Sequence, residues 1–314
     1  MRVLTPTTLD EALEMLAGAS TGWHGRLPTG CTSGGTQEPR SEPRRSELSP
    51  SGHVAPHAAP LIPIAGGTDL LVSWHQQPKD GMSLLDLSRL GSQLQPHRLT
   101  DTELELGALT TYWDVTSSPE VAAAFPLLVE AARLVGAVQI QMRGTWAGNI
   151  GNGSPAADGV PVLMAYDARV VLQSRAGQTE VPLDQYYTGY RQTVRRPDQL
   201  IVAIRVPRRP REREWFYKVG PRRAQAISKV AVAVVKDAAG WRVVASSVAP
   251  VVCRCRHFEQ ALADGRTFQT PAEIAQVLAA DISPIDDIRS TARYRATVLS
   301  RLLYYWLQDR QAPQ

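Results

Sequence analysis

The 314-residue chain has three cysteines, Cys31, Cys253 and Cys255, and no Cys-x-x-Cys pair. An odd count without that spacing excludes a disulfide framework and a cysteine-ligated cluster within the chain, and a reducing, cytoplasmic setting is expected. No run of about 18 uninterrupted apolar residues occurs, so no membrane-inserted segment is expected. The opening residues alternate polar and apolar types and carry Asp10, Glu11 and Glu14, unlike the basic-then-apolar order of a signal peptide. Charge is close to balanced: the net +4 is concentrated in local clusters, Arg40, Arg44 and Arg45 and the arginines of 205–213. With no recognition motif beside them these read as solvated faces, and nucleic acid is excluded as a partner. Also missing are a Gly-x-Gly-x-x-Gly opening a helix, a Gly-x4-Gly-Lys-Ser/Thr loop, a nucleophile–base pair, a metal-ligand cluster and any internal repeat. These absences remove the Rossmann and P-loop readings and leave chemistry to a bound cofactor.

What is present divides the chain into regions. Residues 5–17 carry Leu9, Ala12, Leu13 and Leu16 at helical spacing behind Thr7 or Thr8 as a cap, which predicts a short amphipathic helix. From 20 to 60 the composition turns to Gly, Pro, Ser, Thr and Arg, which cannot bury enough surface to offset the entropy of ordering, and a flexible insertion is expected. Strands are expected at 61–64, 83–87, 104–108, 168–173, 199–206, 215–219, 230–236 and 241–248. Helices are expected at 112–117, 126–134, 160–166, 256–263, 271–280 and 286–307. The mixture, with strands dominating the middle and helices the end, argues for an α+β protein. Pro207-Arg208-Arg209-Pro210 suggests a boundary near 207–213, giving domains over 1–207 and 213–310.

Two glycine-rich segments stand out. Ala65-Gly66-Gly67-Thr68-Asp69 follows the apolar run Leu61-Ile62-Pro63-Ile64; it is either a plain tight turn or an anion-binding concavity of backbone N–H groups. Residues 143–158 pack small residues, amides, hydroxyls and one carboxylate, Asp158, into a stretch that reads either as a surface loop or as a diphosphate- and ribose-binding loop.

In order, Ala65-Gly66-Gly67-Thr68-Asp69-Leu70-Leu71, then Gly144-Thr145-x-x-Gly148-Asn149-Ile150-x-Asn152-x-Ser154-Pro155-Ala156-Ala157-Asp158, then Lys218 with Ala226-Ile227-Ser228-Lys229-Val230, resemble the FAD-binding subunit of the xanthine dehydrogenase and carbon monoxide dehydrogenase family of molybdenum hydroxylases. Pro6-Thr7-Thr8-Leu9-Asp10-Glu11-Ala12 is similar to the start of that family. The segment from Ser283 to Thr291, with Tyr294 and Arg295, is similar to its C-terminal domain.

The resemblance implies a two-part FAD-binding domain of the vanillyl-alcohol-oxidase (PCMH) type followed by a smaller α+β domain with a three-stranded sheet. It implies FAD contacts from Ile64, Ala65, Gly66, Gly67, Thr68, Asp69 and Leu70 on the first loop, and from Thr145, Trp146, Ala147, Gly148, Asn149 and Asn152 on the second. Asp158 falls on the adenosine side, Ile201 along the flavin, Lys218 on FAD, Ile227 over the ring and Lys229 near it. The family usually has Thr-Ile-Gly-Gly-Asn where this chain has Thr145-Trp146-Ala147-Gly148-Asn149, which puts a methyl where backbone would approach phosphate. The implied partners are a small 2Fe-2S subunit and a large molybdopterin-binding subunit, with electrons leaving FAD for NAD or another acceptor. A subunit of the same fold that has lost flavin, and a standalone flavin oxidase or reductase, remain as other readings.

Overall fold

The computed structural model describes residues 1–20, 61–74 and 81–309; the expected flexible insertion at 20–60 lies, but for Ser20, outside them. The first helix forms at Leu9–Ser20. Thr8 Oγ1 accepts from the Glu11 N–H, while the Glu11 carboxylate accepts from the Thr7 N–H at 2.7 Å, a reciprocal cap on the first turn. Its Ala12, Leu13 and Leu16 are buried.

Three parallel strands, Arg2–Leu4, Ser83–Asp86 and Leu61–Ile64, form the first sheet with Ser83–Asp86 in the centre. An antiparallel five-stranded sheet follows in the order His97–Leu99, Glu103–Gly107, Leu200–Pro207, Arg169–Ser174, Gly177–Pro182. A third, antiparallel sheet joins Arg211–Val219, Val230–Asp237, Gly240–Ser246 and the two-residue Cys253–Arg254. It therefore has four strands rather than the three implied by the resemblance, the fourth being short. Arg256–Ala263, Pro271–Leu278 and Ala292–Gln308 close the C-terminal side. The last helix starts at Ala292 rather than 286 because Asp287 and Ser290 bridge in a turn and Thr291 caps the helix on the Tyr294 N–H.

Against the third sheet lies Gly159–Ala165, in which every residue is buried. Its Pro161 is tolerated because first-turn N–H groups have no intrahelical acceptor. The strand Val230–Asp237 is covered on both sides. Val230, Val232 and Val234 face the C-terminal helices, while Ala231, Ala233 and Val235 join the core that runs through the N-terminal part. The break expected at 207–213 is confined to 208–210, since strands run to Pro207 and restart at Arg211.

Candidate functional site

The first glycine loop leaves the strand Leu61–Ile64 and turns at Gly67, whose φ of 73° is a left-handed conformation suited to glycine. The Leu71 N–H then donates to Gly67 O at 2.9 Å. A Cβ at Gly66 would lie 1.8 Å from the carbonyl oxygen of Arg143, so the first loop rests backbone-on-backbone against the start of the second. A Cβ at Gly144 would lie 3.3 Å from Thr68 Oγ1. The two segments, more than seventy residues apart in sequence, are therefore one structural unit.

The second segment is not a loop throughout. Trp146–Asn152 is a helix capped by Thr145, whose Oγ1 accepts from the Gly148 N–H at 2.9 Å, and it ends at Gly153 with φ 62°. Trp146 and Ile150, one turn apart, are buried, and Ala147 packs beside them in the core. Gly148 and Gly151 are exposed, with Asn149 and Asn152 half-buried. The helix thus turns its large side chains inward and leaves a face of glycines and amides outward. Backbone bonds from Tyr112 N to Gly144 O (3.1 Å) and from Trp146 N to Thr110 O (3.2 Å) fix it to the segment before it.

Of six buried side-chain polar atoms without a partner among the described residues, three lie here: Asn149 Oδ1, Tyr112 Oη and Trp146 Nε1. The Tyr112 and Trp146 rings are 4.7 Å apart. Burial, reinforced by the charges of Asp158 and Asp69, pushes the Tyr112 hydroxyl well above its ordinary pKa. Asp69 is exposed on its outer side, yet desolvation by the surrounding protein raises its carboxyl against the attraction of Arg191. Native proteins rarely leave buried polar atoms unpaired, and of the three only Asn149 Oδ1 lies on the outward face of the helix.

Asp158 sits at the back of the site. Its Oδ2 accepts from Lys218 Nζ at 2.6 Å and its Oδ1 from Ser228 Oγ at 2.6 Å, and Lys218 Nζ also donates to Leu134 O at 2.7 Å. Burial raises the Asp158 carboxyl in spite of Lys218. Ile201 is buried in its strand beside the helix, and a Cβ on Gly151 would be 3.6 Å from its Cδ1. Ile227 is 54% exposed, and Lys229 Nζ lies 5.4 Å from the centroid of the Tyr294 ring.

Residues 55–209 match the family described as FAD binding domain in molybdopterin dehydrogenase, and residues 215–309 match the CO dehydrogenase flavoprotein C-terminal domain. Over 247 residues the chain is 30% identical to the carbon monoxide dehydrogenase medium chain of Hydrogenophaga pseudoflava, covering 76% of this chain and 85% of that one. The chain belongs to the xanthine dehydrogenase and carbon monoxide dehydrogenase family of FAD-binding subunits. Its cofactor is FAD, and it is an oxidoreductase subunit. It is also 26% identical, over the same shares, to the putative xanthine dehydrogenase FAD-binding subunit of Escherichia coli strain K12. The solved carbon monoxide dehydrogenase of H. pseudoflava superposes with a TM-score of 0.74 at 25% identity, over 97% of this chain and 95% of that one. Quinoline 2-oxidoreductase from Pseudomonas putida 86 shares the fold at a TM-score of 0.74 and 17% identity.

Within this family member, the first loop packs directly on the start of the second segment, whose helix leaves Asn149 and Asn152 half-buried on its outer face. Thr145 is occupied as a helix cap, and Trp146 and Ala147 lie in the core beneath the helix. The side chains of Asp158 and Lys218 are engaged with each other. Tyr112, Ser228 and Arg191 belong to the site but were not singled out from the sequence. Ser228 lies inside the 226–230 motif, whereas Tyr112 carries no signal beyond the capping box of Thr111 and Asp114. No helix among the described residues is long and apolar enough to cross a membrane.

Proposed function

We propose that FAD lies in the cleft between the first loop, from Ile64 to Leu70, and the Trp146–Asn152 helix, and that the chain relays electrons within a complex. The observation that carries this reading is the unpartnered buried Asn149 Oδ1, on the outward face of the helix, beside two glycine segments whose backbones touch. Asn149 Oδ1 would accept from a ribose or ribityl hydroxyl, and Gly148 and Gly151 would let the diphosphate approach without a Cβ in the way. The Ala147 methyl is directed into the core, so the departure from the family's usual Thr-Ile-Gly-Gly-Asn does not narrow the cleft, which favours a flavin-loaded subunit over one that has lost its cofactor.

FAD, once bound, supplies the conversion between one- and two-electron chemistry. The chain's own tasks are to hold it, to exclude water and to set the local potential. Ile227 offers an exposed apolar surface to the ring, and the Lys229 ammonium, steadied over Tyr294, would favour negative charge near it. The partners that fit are a small 2Fe-2S subunit and a large molybdopterin-binding subunit, with NAD or another acceptor taking the electrons. Co-purification of the complex, release of flavin on denaturation and its ratio to this chain test the reading. About one FAD per chain is expected, and colourless protein that takes up no added FAD would refute it.

A further inference from the structure

The sequence motif around Tyr294 and Arg295 lies far along the chain from both glycine segments, yet buried polar contacts lead from it to the cleft. Arg295 is 3% exposed and belongs to the helix Ala292–Gln308. Its Nη2 donates to Asp287 Oδ1 at 2.7 Å, and its Nη1 donates at 2.9 Å to each of two carbonyls, Lys229 O and Ser247 O. Ser247 takes up φ 63°, a conformation costly for a residue with a side chain, and there its N–H donates to Pro155 O at 2.7 Å. Its hydroxyl donates to Ser228 O at 3.2 Å, and the Ser228 hydroxyl in turn donates to Asp158. Both ends of the second cofactor segment's exit, Pro155 and Asp158, are thus bonded to residues of the C-terminal part. The segment so held is the hairpin connection 220–228, which carries the exposed Ile227 one residue before Ser228.

We infer that Arg295, Ser247 and Ser228 are positioning residues for the flavin: their bonds fix the 220–228 connection, and with it Ile227, against the cofactor cradle. A hairpin connection with Arg222, Arg223 and Gln225 exposed has few apolar contacts of its own to hold it. Local opening of such a segment is governed by the bonds at its base. The Ser228 to Asp158 bond is charge-assisted and partly buried, so its loss outweighs that of an ordinary surface bond. The inference rests on the FAD reading for its consequence, but the bonds themselves exist without the cofactor.

Amide hydrogen exchange of the full chain, with and without added FAD, separates the two. For Ser228→Ala and Ser247→Gly, the latter suited to φ 63° while lacking the hydroxyl, exchange within 220–228 is expected to quicken by about tenfold. Exchange in the remote strand Gly177–Pro182 should stay as in the wild type. Flavin retention and the visible circular dichroism of bound FAD should change in step. Unchanged exchange at 220–228 in both variants, or equal loosening at Gly177–Pro182, overturns the inference. If the wild type takes up no FAD, the cofactor reading fails while exchange in the cofactor-free chain still decides whether these residues hold the connection.

Discussion

Asn149 separates stability from function more cleanly than any other side chain in the cleft. Its Oδ1 is buried and unpartnered, a state that costs free energy in the cofactor-free chain. Asn149→Ala should therefore leave the cofactor-free melting temperature unchanged or slightly higher, while flavin retention falls by about tenfold, equivalent to about 1.4 kcal/mol. Gly66 behaves in the opposite way. A methyl there meets the Arg143 carbonyl at 1.8 Å, and relieving that overlap requires one loop to move. Gly66→Ala should lower stability by about 2–3 kcal/mol and abolish flavin uptake together, as read by thermal melts and the flavin-to-protein ratio. Asp237 gives the pH dependence. Burial alone would raise its carboxyl, but the paired hydrogen bonds from Arg242, that from the Ala239 N–H and the charge of Arg209 outweigh it and hold the group below 3.8. A lowered folded value means the contribution is complete above about pH 5 and disappears as pH falls through that lowered value. The melting-temperature gap between wild type and Asp237→Asn should accordingly shrink under acid.

At the scale of elements, the five-stranded sheet carries a ladder of charge across its strands. Arg205 reaches Glu105 at 2.9 Å, Glu103 at 3.9 Å and also Glu180, whose other oxygen meets Arg169 at 2.9 Å. One guanidinium separates three carboxylates. Arg205→Gln should cost about 1–2 kcal/mol, chiefly by leaving those carboxylates to repel one another, and added salt should recover part of the loss in urea melts. Most strands and the larger helices were legible because apolar periodicity and Gly or Pro punctuation marked them, as at Val230–Asp237 and Arg256–Ala263. The helix Trp146–Asn152 was not, since Gly148 and Gly151 depress helix propensity and only tertiary burial of Trp146 and Ile150, with the Thr145 cap, stabilises it. The first loop and the family motifs were readable as chemistry. The pairing of Asp158 with Lys218 and Ser228 was not, because it joins segments whose proximity arises only when the third sheet docks.

In the whole molecule, the sequence boundary near residue 210 does not correspond to a break in the core. Phe216, Ala231, Ala233, Val235, Val244 and Val252 of the C-terminal part are packed with the N-terminal residues. The full chain should unfold in a single transition, with tryptophan fluorescence and far-ultraviolet circular dichroism giving coincident curves; two resolved steps would show that the parts are independent.

The strand Val230–Asp237 works as a shared wall between two rooms, with valines papering one side and mostly alanines the other. Deleting one residue within it would exchange the two coverings, crowding the side built for alanine and hollowing the side built for valine. Evolution can therefore lengthen the loops at either end of this wall, but cannot shift the wall itself by a single step.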